Sequence, residues 1–430
     1  MKKKTLKTIS VLGALVLTLG TFSGCGTKNE PEKNKSEEKF IPSLSTEKTV
    51  DLDIAGFMGN FESLDQVVND FNEYYPNVTI HYEKCTTGEL KTYLDNNKNI
   101  DIFMTSDKNV RDAESEDSYV YDKCINLTDE NIDVSSIDKD LLLACTIDDR
   151  LVRIPLSRTM CGMAVNKSLL EKYNLDVPEN YSEFMEVCEK LKEKGYTPIQ
   201  SAKTHVCSDM ILPMALSILG KDEALTEMVN SGNMDYVEKL RPVYEKLYDI
   251  VDKGYMSDDI NAGYPDDNYD GAILKFFEGD VPFWICNTES FSGMKKRESK
   301  SETFKGSPFE YFFMNVPLGD DGIYDYEEPW YGFSVSKDSD EIEYAVEFIK
   351  FLCMEQELDK IAEIKGMPSV TDSNSDKRFS EAINPSNTVS RYIYDGNLDN
   401  SVNDKIAAAG NKMGAKALLS VDEALKSFNN

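Results

Sequence analysis

The chain has 430 residues, with 47 Lys and Arg against 77 Asp and Glu, a formal charge of −30, and only two histidines. Charge of that sign argues against nucleic acid and anionic lipid headgroups as partners. Two histidines and nine scattered cysteines without a CxxC spacing argue against a zinc site, and no cofactor is expected.

The N-terminus reads as an address. Lys2, Lys3, Lys4 and Lys7 precede an apolar run over residues 9–19, and small residues lead to Phe22-Ser23-Gly24-Cys25. A membrane span needs about 20 apolar residues, so this shorter run reads as a cleaved signal. A cysteine directly after Ser-Gly resembles a lipobox, in which residues 1–24 are removed and Cys25 carries lipid. An ordinary signal peptide with an incidental cysteine is the alternative. Cleavage removes four lysines and no acid, leaving 43 basic residues against 77 acidic ones and a charge of −34. Residues 25–48 then form the lipidated cysteine and a polar tether, too poor in apolar side chains to offset their ordering entropy. About 380 residues follow, too many for one ordinary core and suited to two lobes. No other stretch is long and apolar enough to span a bilayer.

In chain order, residues 52–57 form a strand, followed by Leu64, Val67, Val68, Phe71 and Tyr74 at helical spacing. Residues 77–82 and 100–104 are further strands. Strands alternating with helices predict a parallel sheet with helices on its faces. Another strand over 150–154 ends at Pro155. Residues 160–166 are a strand, 168–173 a helix, and 181–194 a helix closed by Gly195. A strand at 197–199 leads to helices over 211–219, 222–230 and 234–253. Then come a helix at 271–278, a strand at 281–286, strands at 309–316 and 331–336, a helix at 341–354 and an alanine-rich helical end. The eight cysteines beyond Cys25 (Cys85, Cys124, Cys145, Cys161, Cys188, Cys207, Cys286 and Cys353) favour buried free thiols, with disulfides as the alternative.

Several phrases carry a family resemblance. Leu64-Asp65-Gln66-Val67-Val68-Asn69-Asp70-Phe71-Asn72 closes on Tyr75-Pro76-Asn77-Val78. Asp101-Ile102-Phe103 follows, then Arg153-Ile154-Pro155-Leu156 and Gly162-Met163-Ala164-Val165-Asn166-Lys167. Val177-Pro178, Gly195-Tyr196-Thr197-Pro198-Ile199, Phe276-Phe277-Glu278-Gly279-Asp280-Val281-Pro282-Phe283 and Val421-Asp422-Glu423-Ala424-Leu425 complete the order. Together they resemble the extracellular solute-binding proteins of sugar ABC importers, the group that includes maltose-binding protein. The resemblance implies an α/β fold of two lobes, periplasmic-binding-protein-like and of type II, closing over ligand as a hinged clamp. It implies an N-terminal lobe of 49–155 and 316–366 and a C-terminal lobe of 156–315 and 367–430. The crossings would fall at 154–158, 314–317 and 366–369.

A sugar presents hydroxyls and an apolar C–H face, so its site needs aromatic plates and planar polar groups at strand ends. Trp284 stands where the family places a stacking aromatic; Trp330 and Tyr331 sit at the mouth of a crossing. Either tryptophan could instead be a core or rim ring. In the first lobe Phe57 and Asn60 follow strand one, and Ser106, Asp107 and Asn109 follow strand three; the polar ones could equally cap or turn the chain. Arg158 could bond hydroxyls or form a surface salt bridge. Glu289 and His205 complete the candidates, His205 being also suited to a surface or capping role. Asp266, Asn268, Asp270 and Gly271 nearly spell a calcium loop, but position 277 is Phe277 where a glutamate is required. Asp270 reads instead as a helix cap.

No P-loop, GxSxG or HExxH motif is present. The reading is a monomeric, non-catalytic lipoprotein outside the cell membrane that delivers a carbohydrate to ABC permease subunits. The alternatives are an exported glycoside hydrolase, an adhesion scaffold, or a receptor for a sugar acid or cationic solute.

Overall fold

Val50, Leu52 and Ile54 alternate with Asp51 and Asp53 along the first strand, so one face is buried and the other faces outward. The computed structural model describes residues 39–58, 62–96, 99–105, 120–201, 208–256, 269–371, 376–379, 382, 387–394, 396–399 and 401–429. The strands among these, in chain order, are β1 (Val50–Gly56), β2 (Val78–Lys84), β3 (Ile100–Thr105), β4 (Thr146–Ile147), β5 (Arg150–Leu151), β6 (Ile154–Pro155) and β7 (Arg158–Asn166). They continue with β8 (Ile199–Ser201), β9 (Phe283–Asn287), β10 (Tyr311–Met314), β11 (Ile323–Pro329), β12 (Gly332–Val335) and β13 (Thr388–Ile393).

Two sheets organise two lobes. The first runs β2-β1-β3-β12-β6, and the second β13-β11-β7-β9-β8 with β10 also paired to β7. The first is parallel across β2, β1 and β3, but β12 enters antiparallel to β3 and β6 antiparallel to β12. The sequence predicted a purely parallel sheet. The reversal arises because β6 and β12 are the ends of chain segments running to and from the other lobe.

The first lobe packs Leu52, Ile54, Ile102 and Met104 against Val67 and Phe71 of helix Glu62–Asn72 and Phe348 and Ile349 of helix Ile342–Leu352. The Phe71 ring meets Phe348 edge-on at 5.2 Å. Fully burying such a ring contributes about 1.5–3 kcal/mol. In the second lobe β7 is buried at every position. Cys161, Met163 and Val165 face one core, with Met210 and Leu216 of helix Ser208–Gly220, while Met160 and Ala164 face a second core of aromatic rings. A strand covered on both faces explains its continuous apolar run.

The chain passes from the first sheet to the second between Pro155 and Arg158. It returns between Pro329 and Gly332, because β11 still pairs with β7 and β13 while β12 pairs with β3. The expected crossing at 314–317, and with it the lobe boundary at 316, therefore moves to Trp330-Tyr331. Strand β11 (Ile-Tyr-Asp-Tyr-Glu-Glu-Pro) escaped the sequence reading because Asp325 and Glu327 look like loop residues, yet both are buried against arginines. The two crossings hydrogen-bond to each other: Trp330 N donates to Ser157 O at 2.8 Å and Leu156 N to Tyr331 O at 3.0 Å. Glycine is required beside them, since a Cβ on Gly332 would stand 2.6 Å from the Ile154 carbonyl oxygen. The third crossing also shifts from 366–369: Val370 is still in the first lobe's core and Thr371 bridges Ile137, whereas Phe379 belongs to the second lobe.

Part of the expected tether is structure. Phe40 packs edge-on against Tyr74 at 5.3 Å and Phe351 at 5.2 Å. Ser43 donates from N and Oγ to the Glu347 carboxylate at 2.8 and 2.7 Å, and Tyr75 donates its hydroxyl to the same group at 2.5 Å. Residues 39–48 thus form a strap on the first lobe, because a buried carboxylate needs its donors and Phe40 has an apolar groove to fill. The segment before residue 39, including Cys25, lies outside the described residues.

The seven described cysteines beyond Cys25 are buried and free. Burial pushes the Cys85 and Cys124 thiols up to about 11, which makes them poor nucleophiles at neutral pH. Cys207 lies outside the described residues. Among the described residues no helix is long and apolar enough to cross a membrane, and no group of three His, Cys, Asp or Glu side chains could hold a metal ion.

The strap yields a direct expectation. Ser43→Ala removes a charge-assisted hydrogen bond to a buried carboxylate and should lower unfolding stability by about 2 kcal/mol. A urea midpoint identical to the parent would show that the strap is not bound in solution.

Candidate functional site

The cleft is assembled where strand ends and crossings from both lobes meet. Met58 follows β1, Trp330 occupies the second crossing, and Lys365 and Met367 stand at the start of the third. The second lobe supplies Asn287, Glu289, Ser290 and Ser292 after β9, then Gly293, Lys296 and Arg297. The enclosed volume is about 440 Å³, inside the range of roughly 300–1,000 Å³ typical of small-molecule sites.

Trp330 is 7 % exposed, and its indole Nε1–H has no hydrogen-bond partner among the described residues. A buried donor left unpaired costs about 1–3 kcal/mol, a cost that an acceptor brought to it would remove. Its ring lies 4.9 Å from Tyr331, whose ring lies 5.5 Å from Phe57. The three rings make an aromatic patch on the first-lobe side. Burial, with the nearby charges of Glu289 and Glu328, pushes the Tyr331 hydroxyl up, so it stays protonated as a donor.

Facing this patch, Asn287 caps helix Thr288–Ser292 by accepting from Ser290 N at 2.8 Å, which fixes the turn carrying Glu289. Burial, then Lys296, pulls the Lys365 ammonium down, opposed by Glu62 and Glu289. Arg297 is held by Asp270 and by the Gly293 carbonyl at 2.8 Å. The wall therefore mixes cationic donors, one carboxylate acceptor at Glu289, and serine and asparagine groups with the Trp330 indole. Such a surface can hold a polyhydroxylated molecule by its hydroxyls and its apolar face.

Several sequence expectations need correction. Trp284 is 1 % exposed and sits mid-strand, paired with Ala164, among Phe276, Phe277, Phe291 and Phe313. The strand runs on to Asn287, so the residue that reaches the cleft is Asn287, three positions later. Arg158 is 2 % exposed and fully engaged, donating Nε to Ser369 O at 2.7 Å, Nη1 to Glu327 at 2.8 Å and Nη2 to Thr371 O at 3.3 Å. It is neither a ligand contact nor a surface salt bridge. Asp270 is not the N-cap expected for the helix after it: it lies within helix Tyr269–Phe276 and pairs with Arg297 and Lys300.

Trp330, Tyr331, Phe57 and Glu289 are brought together at or beside the cleft. Asn60, Ser106, Asp107, Asn109 and His205 lie outside the described residues. Sequence reasoning missed Met58, Asn287, Ser290, Ser292, Lys296, Arg297, Lys365 and Met367. The one available signal was Asn287-Thr288-Glu289-Ser290, a helix-start pattern directly after an apolar strand.

A larger cavity of about 690 Å³ lies on the second lobe alone, between Phe304, Phe309, Tyr311 and Asn315. Lys377, Arg378 and Asn387 also border it, and none of its described lining residues comes from the first lobe.

Residues 57–353 match the family described as bacterial extracellular solute-binding protein. The chain is 20 % identical over 439 residues to the multiple sugar-binding protein of Streptococcus mutans serotype c, covering 99 % of this chain and 98 % of that protein. Among solved structures it resembles apo RafE of Streptococcus pneumoniae, with a TM-score of 0.70, 14 % identity, and 90 % and 99 % of the two chains covered. It also resembles a Bacillus licheniformis sugar transporter solved with stachyose, with a TM-score of 0.62, 18 % identity, and 88 % and 98 % covered. The shared architecture is the two-lobed, type II periplasmic-binding-protein-like α/β fold.

The two tryptophans separate in a paired experiment. Trp284→Ala should cost about 3–5 kcal/mol of stability as a buried aromatic truncated in a packed core. Trp330→Ala should cost less, since that ring also lines the cleft and loses no N–H hydrogen bond. Equal urea midpoints for the two variants would contradict these placements.

Proposed function

The chain belongs to the bacterial extracellular solute-binding proteins, and from that premise we propose that it captures an oligosaccharide in the cleft and delivers it to an ABC importer. The observation that carries this reading is the Trp330 indole, nine-tenths buried with its N–H unpaired, beside Tyr331 and Phe57. A sugar ring supplies both missing partners. Its hydroxyl oxygen accepts from Nε1, and its C–H face covers aromatic carbon at little entropic cost. Glu289 accepts from hydroxyls across the cleft, and the lysines donate to them.

The relatives support an oligosaccharide over a single sugar. One structural neighbour was solved with stachyose and another with raffinose. Binding between lobes joined by three chain crossings favours closure on ligand as the signal read by the permease. The leader supports an exported protein held by lipid on Cys25, acting as a monomer on the outer face of the membrane.

Calorimetry with stachyose and raffinose tests the reading. Saturable binding without release of smaller sugars is expected, and turnover would instead mark a glycoside hydrolase. Trp330→Ala should weaken the binding by about 2 kcal/mol or more, as for a central aromatic hot spot. Unchanged affinity would remove Trp330 from the site. For the anchor, mass spectrometry of the exported protein should find a lipidated Cys25, and Cys25→Ser should abolish the modification; an unmodified cysteine in the parent refutes the lipoprotein reading.

A further inference from the structure

Arg158 opens β7 directly after the first crossing, and its guanidinium donates to groups on the segments that lead into the other two. Its Nε and Nη2 reach the carbonyls of Ser369 at 2.7 Å and Thr371 at 3.3 Å, at the first-lobe end of the third crossing. Its Nη1 reaches Glu327 at 2.8 Å, on the strand that runs directly into the second crossing. One side chain therefore ties together all three segments about which the lobes can turn.

Arg391 of β13 extends the cluster to the first lobe. Its Nε donates to Glu327 at 2.7 Å and its Nη2 to Asp138 at 2.7 Å. Asp138 follows Ile137 of the first lobe's core and caps helix Lys139–Ala144, its Oδ1 accepting from Asp140 N at 2.9 Å and Leu141 N at 3.3 Å. The Arg391–Asp138 contact is thus a direct ion pair from second lobe to first. Arg158 also stands 3.8 Å from Asp138, while Asp140 and Asp325 flank Arg391 at 3.4 and 3.9 Å.

Burial, reinforced by Glu327, pushes the Asp325 carboxyl well above the usual range, which favours its neutral form. Burial also raises Glu327 and Asp138, but the two guanidiniums outweigh it and hold both below their ordinary values. The guanidiniums of Arg158 and Arg391 thus face the carboxylates of Glu327 and Asp138, with half-exposed Asp140 at the edge. A buried ionic cluster whose members are all bonded tolerates one geometry and strongly disfavours any that strands a charge.

We propose that Arg158, Arg391, Glu327 and Asp138 form a hinge brace, positioning residues that set the angle between the lobes without touching ligand. The brace restricts the ligand-free protein to a narrow set of lobe angles, so the two walls of the cleft are held in register before ligand arrives. It does not depend on which solute is bound.

The test uses the ligand-free full chain with spin labels at Thr92 of the first lobe and Glu193 of the second, and pulsed dipolar distance measurement. Asp138→Asn keeps an amide oxygen to cap the helix but removes the charge facing Arg391. The interlobe distance distribution should become about twofold broader or shift its centre, while a control pair within the second lobe, Glu193 and Glu223, stays as in the parent. Arg391→Gln removes the same ion pair together with the bonds to Glu327, so it should broaden the distribution at least as much, and adding Asp138→Asn to it should broaden it no further. Arg391→Lys, which retains a cation, should recover part of the parent's narrow distribution. An interlobe distribution unchanged in Asp138→Asn overturns the proposal. So does broadening of the control pair, which would mean loss of lobe structure instead of hinge angle.

Discussion

A guanidinium buried among three passing chains imposes a constraint on everything around it. Arg158 cannot shed its charge, so its donors must be met wherever it is enclosed. Here they are met by carbonyls of Ser369 and Thr371 and by Glu327. Those partners lie on the segments that lead into the second and third crossings, so satisfying one side chain links the ends of all three. The backbone bonds between Trp330 and Ser157 and between Leu156 and Tyr331 continue the same ladder. The cleft wall is built on it. Trp330 projects from one of the segments that Arg158's partners lead into, and Met367 from another.

The same constraint explains why acidic residues occupy β11. Strand positions 325 and 327 would ordinarily be filled by apolar side chains in a sheet covered on both faces. Glu327 is tolerated because Arg158 and Arg391 pair with it, and Asp325 because burial favours its neutral form. Replacing the whole cluster with apolar residues could leave the protein equally stable. What the ionic version adds is a preferred geometry, which a two-lobed receptor needs and a rigid domain does not.

The aromatic side chains divide by the same logic of access. Sheet two is covered on both faces, so a tryptophan in the middle of β9 has nowhere to go but the ring cluster of Phe276, Phe277, Phe291 and Phe313. The indole at position 330 lies where the chain leaves one sheet for another, outside any such ring cluster, and lines the cleft although it is largely buried. At the other end of the chain, Phe40 and Ser43 show that a polar leader can still dock when one ring and one hydroxyl find a groove and a buried carboxylate.

Periodicity alone determined most of the element order. The apolar runs of β1, β3 and β7, the helix starting at Glu62 and the Gly195 cap, with its φ of +86°, all follow from local side-chain pattern. The two-lobe architecture was likewise legible, since length and ordered phrases are properties of the chain itself. Tertiary structure decided the rest. That β11 is a strand depends on two arginines distant in sequence, which no local window contains. That Arg158 braces a hinge, that Trp284 is core and Trp330 lines the cleft, and that the second crossing falls at 330–331 all depend on which strands pair. Burial of a charge or an indole is set by neighbours brought from hundreds of residues away, and a one-dimensional pattern carries only each residue's preference for burial, not the partner that makes it affordable.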